Sequence, residues 1–118
     1  MIRRDVLMLD LRDDPLLIEQ YEAHHRAVWP EVRAHLERQG VLDMEIYRLG
    51  TRLCMVMEVD EQKFDAARMR QAEQEDPSLQ AWERLMWTFQ QPTPWTPDGC
   101  KWVPARCIFR LSSGADAV

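Results

Sequence analysis

Val41-Leu42-Asp43-Met44-Glu45-Ile46-Tyr47-Arg48-Leu49-Gly50-Thr51-Arg52-Leu53-Cys54-Met55-Val56-Met57-Glu58-Val59 is the stretch that decides the fold. Two runs rich in apolar and β-branched residues, Val41 to Leu49 and Arg52 to Val59, flank Gly50-Thr51, and a two-residue connection containing glycine signals a tight antiparallel hairpin. The first run alternates, with Asp43, Glu45 and Tyr47 on one face and Met44 and Ile46 on the other. The second, Leu53-Cys54-Met55-Val56-Met57, is apolar on both faces. A sheet built on it needs cover on both sides.

Working outward, the segment before the hairpin reads as strand then helix. Val6-Leu7-Met8-Leu9-Asp10-Leu11 is short and apolar, and Asp13-Asp14-Pro15 closes it with an aspartate cap followed by proline. Helical spacing runs from Leu16 to about Val28, breaks at Pro30, and resumes from Glu31 to about Gln39; Gly40 suits the residue after a helix end. Beyond the hairpin, Glu61 to Glu75 has helical spacing of Phe64, Ala67 and Met69. Asp76-Pro77 then starts a helix through Leu79, Trp82, Met86 and Phe89. Gln91 to Pro104, with Pro92, Pro94, Pro97, Pro104 and Asp98-Gly99, reads as a loop long enough to serve function or docking. Val103 to Leu111 is expected as the last strand and residues 112–118 as a mobile tail.

The order strand, helix, strand, strand, helix, strand predicts an α+β class chain, a single ferredoxin-like βαββαβ domain over residues 1–118 with a four-stranded antiparallel sheet. Helices on one face leave the other bare, and a second subunit packing sheet to sheet gives a homodimer and a dimeric α/β barrel. The alternative is a monomer whose C-terminal loop, carrying Trp95 and Trp102, folds back over the sheet.

Composition narrows the function. The chain has 118 residues, 46% hydrophobic and 30% charged, a formal net charge of −5 and a pI near 5.2. It lacks the cationic surplus that drives binding to nucleic acid. No apolar run approaches the roughly 20 residues of a membrane span, and Met1-Ile2-Arg3-Arg4-Asp5 lacks the apolar core of a signal peptide. A cytoplasmic protein with neither nucleic-acid nor membrane partners is expected. Cys54, Cys100 and Cys107 are odd in number and show neither disulfide nor zinc-site spacing. A glycine-rich phosphate loop, HExxH, GxSxG and a dinucleotide fingerprint are all absent, which disfavours phosphoryl and nicotinamide chemistry.

Chemistry gathers in Tyr21-Glu22-Ala23-His24-His25-Arg26-Ala27-Val28-Trp29-Pro30-Glu31. Tyr21 and His25, four apart, share one helix face and reach a common small ligand. Pro30 places His25 in a last turn, where the carbonyl end of the helix dipole favours imidazolium, and an imidazole titrating near neutrality serves as general acid or base. The same spacing also reads as a buried face whose polar atoms find backbone partners. His24 and His35 read as solvated or partly buried helix residues. Trp82, Trp87, Trp95 and Trp102 crowd the last third of the chain; indole faces stack on sugar rings, although tryptophans at helical spacing more often fill cores. Asp43 and Glu45, two apart on a strand face, suit either sugar hydroxyls or a solvated edge.

Met1-Ile2-Arg3, Tyr21 with His25, Val28-Trp29-Pro30-Glu31, Ile46-Tyr47, Trp82 with Met86, and Ile108-Phe109 together resemble the L-rhamnose mutarotase family over nearly the full length. The resemblance implies a dimeric α+β barrel that interconverts the anomers of a free 6-deoxy-L-hexose without metal or organic cofactor. It gives His25 the position of the proton donor and Tyr21 that of a sugar-contacting tyrosine. Trp82 with Glu83 falls on the family's paired tryptophans, and Met44 falls where the rhamnose enzymes place a substrate-contacting tyrosine. Both Glu83 and Met44 depart from that pattern, which moves the expected substrate away from L-rhamnose. Asp43 to Tyr47, Met86-Trp87 and Lys101-Trp102-Val103-Pro104 resemble a divergent branch associated with L-fucose, which becomes the first choice. Asp43, Glu45 or Glu83 would hold hydroxyls and Trp82 would stack on the ring. The rivals are a cofactor-free monooxygenase or haem-binding dimer of the same fold, and a non-catalytic small-molecule-binding dimerisation module.

Overall fold

In the computed structural model, which describes residues 1–112, three of the four helices in that span begin at an aspartate. Strand β1 (Ile2–Leu11) leads into α1 (Pro15–His25), where Asp14 Oδ1 accepts from the amides of Leu16 at 2.9 Å and Leu17 at 3.3 Å. Such caps satisfy amides that the first helical turn leaves free. Helix α2 (Pro30–Arg38) starts on proline and ends before Gly40, whose φ of 95° is open to glycine at little cost. The hairpin forms as read, β2 (Val41–Leu49) against β3 (Arg52–Asp60), with one irregularity between Val41 and Asp43.

The next helix starts later than Glu61. Asp60 takes the local amides, its carbonyl accepting from Phe64 N at 2.8 Å and its carboxylate from Gln62 N at 3.0 Å, so a turn closes first. Helix α3 (Ala66–Glu75) then begins at the Asp65 cap, and α4 (Pro77–Trp87) at Asp76, whose carboxylate accepts from Ser78 N at 2.8 Å.

The sheet order is β2-β3-β1 followed by an outer edge made of two short pieces, β4 (Gln90–Gln91) and β5 (Val103–Pro104), both antiparallel to β1. Gln91 faces Asp10 and Val103 faces Met8, so twelve positions of the edge advance only two along β1 and ten residues loop out. The expected strand from Val103 to Leu111 is thus corrected: after Ala105, whose amide donates to Val6 O at 2.7 Å, the chain leaves the sheet. Ile108 and Phe109 are 87% and 74% exposed. Their apolar pattern was legible as a strand, but a single chain supplies no neighbour for it. Of the expected mobile tail, residues 113–118 lie outside the described residues.

Residues opposite one another across the ladders sort the two sheet faces. Leu9, Leu11, Leu53, Met55, Met57 and Val59 are buried, and the helices pack on this side with Tyr21, Met86 and Phe89 joining Leu11 and Leu53. The other face carries Val6 opposite Val56 and Met8 opposite Cys54, all only half-buried, and Tyr47 and Leu49 lie exposed beside them on β2. The loop covers one corner of this face, where Trp95 lies 5.1 Å from the Arg52 guanidinium. Trp102 goes instead to the helix side, packing against both core clusters.

Candidate active site

Trp29-Pro30 stops α1 at His25, so the imidazole sits at the helix end one turn beyond Tyr21. His25 Nδ1 lies 2.9 Å from the Tyr21 carbonyl oxygen. A carbonyl only accepts, so Nδ1 carries the hydrogen and the neutral imidazole keeps its lone pair on Nε2. The Tyr21 ring packs on the imidazole with centroids 4.3 Å apart, and Trp82 meets it edge-on at 5.8 Å. Trp29 in turn abuts Trp82 at 5.1 Å. The Tyr21 phenol is buried, and its Oη accepts from Gln90 Nε2 at 3.2 Å.

Electrostatics at His25 differ from the helix-end expectation. Burial lowers its pKa below the usual value; the Tyr21 hydrogen bond opposes that, while His24 and Lys101 add positive charge that favours the neutral ring further. Desolvation therefore outweighs the helix end, and the imidazole rests as a base. Burial also pushes the Tyr21 phenol up to about 12, so it stays protonated.

Tyr21 and His25 line a cavity of about 760 Å³ between α1, α2 and the hairpin, with Val28, Leu36, Met44 and Ile46 as its apolar wall. Glu22, Glu37 and Asp43 bring three carboxylates, and Arg26, Arg33 and Arg48 three guanidinium groups. The balance suits an uncharged polar ligand. Arg48 is held by Glu22 at 2.5 Å and by Gly50 O at 2.8 Å, which ties the end of the hairpin to α1.

Of the residues singled out from sequence, Tyr21, His25, Met44 and Asp43 come together on this cavity. Asp43 Oδ1 also accepts from Met44 N at 2.9 Å. Trp82 braces His25 and is not among the cavity walls. Glu45 is not among the cavity walls; it shares a strand face with Asp43 and Tyr47, where its hydrogen bond and charge raise the Tyr47 pKa. Glu83 is exposed and engaged by Lys101 Nζ at 2.7 Å, so its carboxylate is turned to the C-terminal loop. His35 is buried rather than solvated, with Nε2 3.1 Å from Glu73 Oε2.

Sequence reading gave no role in the site to Arg26, Arg33, Leu36, Gln90 or Lys101. Arg26 caps the end of α1, Arg33 and Leu36 lie on α2, and all three line the cavity without carrying a local motif. Gln90 and Lys101 reach the His25 neighbourhood only through the interrupted edge strand, which spacing along the chain does not reveal. Among the described residues, no three His, Cys, Asp or Glu side chains converge as metal ligands.

A helix-backed antiparallel sheet holding a half-buried imidazole, with one nitrogen free beside a charge-balanced cavity, defines a small-molecule acid/base protein. The sequence model of the L-rhamnose mutarotase family matches residues 4–111. An L-fucose mutarotase from Xanthomonas campestris pv. campestris is 47% identical over 113 residues, covering 94% of this chain and 90% of that one. A UPF0734 protein from Dictyostelium discoideum is 33% identical over 106 residues, 87% of this chain and 85% of its own. The crystal structure of an L-rhamnose mutarotase from Formosa agariphila superposes with a TM-score of 0.68 at 19% identity, over 92% of this chain and 98% of that one, and supports the fold. The chain belongs to the L-rhamnose mutarotase family, whose members are isomerases.

Proposed function

We propose that this chain interconverts the α and β anomers of a 6-deoxy-L-hexose, L-fucose in preference to L-rhamnose, with His25 as the catalytic acid/base. The observation that carries the reading is His25 itself, pinned at Nδ1 and free at Nε2 beside a cavity lined by three carboxylates and three guanidinium groups. The 47% identical relative that bears the name L-fucose mutarotase supports the choice of sugar. So does Met44, which replaces the tyrosine expected of a rhamnose enzyme.

Ring opening needs one proton moved. Neutral Nε2 takes the proton of the anomeric hydroxyl as the C1 carbonyl forms and the bond from C1 to the ring oxygen breaks. The resulting imidazolium, or a water in contact with it, returns that proton to the departing ring oxygen. Rotation about C1–C2 presents the other carbonyl face, and reversal of the same steps closes the ring as the opposite anomer. Tyr21 orients the sugar, Asp43 holds a hydroxyl, Met44 packs against the ring, and Trp82 supports the imidazole from behind. Glu45 and Glu83 fit a direct sugar contact less well, because one is not among the cavity walls and the other is paired with Lys101.

The reading includes a homodimer in the cytoplasm. The half-buried apolar face of β1 and β3 and the exposed Ile108 and Phe109 support the first. Three free cysteines suit a reducing compartment. No helix among the described residues is long and apolar enough to cross a membrane.

The test is exchange NMR between the anomeric protons of L-fucose, and of L-rhamnose, with and without protein. Accelerated exchange that is faster for L-fucose, and that falls by about 10²–10⁴-fold in a folded His25→Ala variant, is expected. An unchanged rate in that variant removes His25 from the chemistry. Absence of acceleration with both sugars sinks the mutarotase reading and favours a binding module, while a Soret band on mixing with haem would favour the haem-binding rival.

A further inference from the structure

Gln90 is 2% exposed and heads the interrupted edge strand, yet its side chain is only half satisfied. Nε2 lies 3.2 Å from Tyr21 Oη, while Oε1 is buried with no hydrogen-bond partner among the described residues. A buried amide whose groups are not all used is costly, so its presence in the core calls for a role. The bond to Tyr21 has a directional consequence. An amide nitrogen only donates, so Tyr21 Oη accepts from Gln90 and its own proton is left for a third oxygen. Tyr21 is a wall of the cavity, and burial keeps it protonated.

We propose that Gln90 is a positioning residue that makes Tyr21 a hydrogen-bond donor toward the cavity. With Oη accepting from Gln90 Nε2, the Tyr21 O–H donates to a hydroxyl oxygen of the bound sugar. The Gln90 bond sets this direction. It also fixes Tyr21, whose carbonyl and ring both hold His25. The inference rests on the mutarotase reading for the identity of the hydroxyl, but not for the hydrogen bond.

Two side-chain variants of nearly unchanged volume separate these statements. Gln90→Met removes both polar atoms of the amide and is expected to slow L-fucose anomer exchange about tenfold, the equivalent of roughly one lost hydrogen bond. In a Tyr21→Phe background the same change is expected to have no further effect. Gln90→Glu places a carboxyl in a buried site that raises its pKa. Below that pKa the neutral acid still donates to Tyr21 Oη and activity approaches that of the parent. Above it the carboxylate takes the Tyr21 proton instead, so activity falls as pH rises. The parent has no such limb, because His25 becomes more fully the base with rising pH. A packing role for Gln90 does not produce this profile.

The protein has only two tyrosines, Tyr21 and Tyr47, so the Tyr21 ring carbon bearing oxygen is readily followed by NMR in protein labelled there. Its resonance is expected to move in Gln90→Met and, in the parent, on adding L-fucose. If Gln90→Met is poorly folded, Gln90→Glu across pH carries the test. Parent-like exchange in Gln90→Met, or a Gln90→Glu profile parallel to the parent's, overturns the proposal. Without any acceleration by the parent, the mutarotase reading fails and the Tyr21 resonance alone decides the bond: movement in Gln90→Met supports it and no movement removes it.

Discussion

His25 and Lys101 meet through the fold, and their coupling gives a pH signature. Burial and nearby positive charge hold the His25 pKa below 6.5 in the folded chain. As pH falls below 6.5 the unfolded chain protonates this residue first, so the unfolded state binds more protons and stability declines with falling pH. The acid limb of the anomer-exchange rate is expected below pH 6.5 for the same reason. Lys101 is itself half-buried against the Trp87 ring, with Nζ 5.1 Å from its centroid, and its positive charge contributes to lowering His25. Lys101→Met is therefore expected to move the acid limb toward higher pH, an effect also favoured by leaving the Glu83 carboxylate unneutralised. A rate profile for this variant that coincides with the parent's would show that the loop charge does not reach the imidazole. Sequence made His25 and Tyr21 legible because one helical turn joins them. It marked Lys101 only within a family-like segment and gave no sign that its charge reaches His25, 76 positions away along the chain. Nor did it reveal which influence on the imidazole wins, since helix-end charge is local while desolvation depends on the whole core.

Helix ends were the most readable elements, because a cap is chemistry between near neighbours. Asp14-Pro15 and Asp76-Pro77 start α1 and α4 as their sequences say. Asp76 serves twice, closing α3 and capping α4. Its replacement by alanine is expected to cost about 1 kcal/mol, or roughly 3–5 °C in melting temperature at this chain length, without altering the acid limb of activity. Gly40 is under tighter constraint: at φ 95° an added Cβ would lie 3.1 Å from both Lys63 Cβ and Phe64 N. Gly40→Ala is expected to destabilise by more than the cap loss, because positive-φ strain and the backbone contact combine. Thermal melts of the two variants side by side check the order. The last strand was the least legible element. Its sequence has strand character from Val103 to Leu111, but pairing is decided by what lies alongside. Only Val103 and Pro104, with the Ala105 amide, find β1.

At the scale of the whole molecule, the two sheet faces have unequal cover. The helix side buries Leu9, Leu11, Leu53 and Val59 almost completely, whereas the opposite side leaves Val6, Met8, Cys54 and Val56 half-open beside exposed Tyr47 and Leu49. The C-terminal loop covers one corner with Trp95, too small a part to replace a second layer. This imbalance was legible from the two-faced apolar run of β3, since a strand with one wet face has no reason to alternate Cys54 and Val56 with Met55 and Met57. If a second copy covers the face, it should bury at least about 1,000 Å², the area a specific interface needs. Val56 sits mid-strand opposite Val6, so an arginine there would place an unpaired charge at the centre of such a contact. Val56→Arg is expected to convert a species of twice the chain mass into one of the chain mass in sedimentation, while circular dichroism keeps the parent spectrum. Leu16→Arg, at a position 60% exposed on α1, is the matched control and is expected to leave the mass unchanged. A parent of single-chain mass, or a Val56→Arg variant that keeps the doubled mass, would mean that this face does not mediate self-association. If Val56→Arg separates the copies, the anomer-exchange rate of the monomer then measures how far the cavity between α1, α2 and the hairpin depends on the partner. His25, Tyr21 and Met44 all belong to one chain, so a rate within about tenfold of the parent is expected.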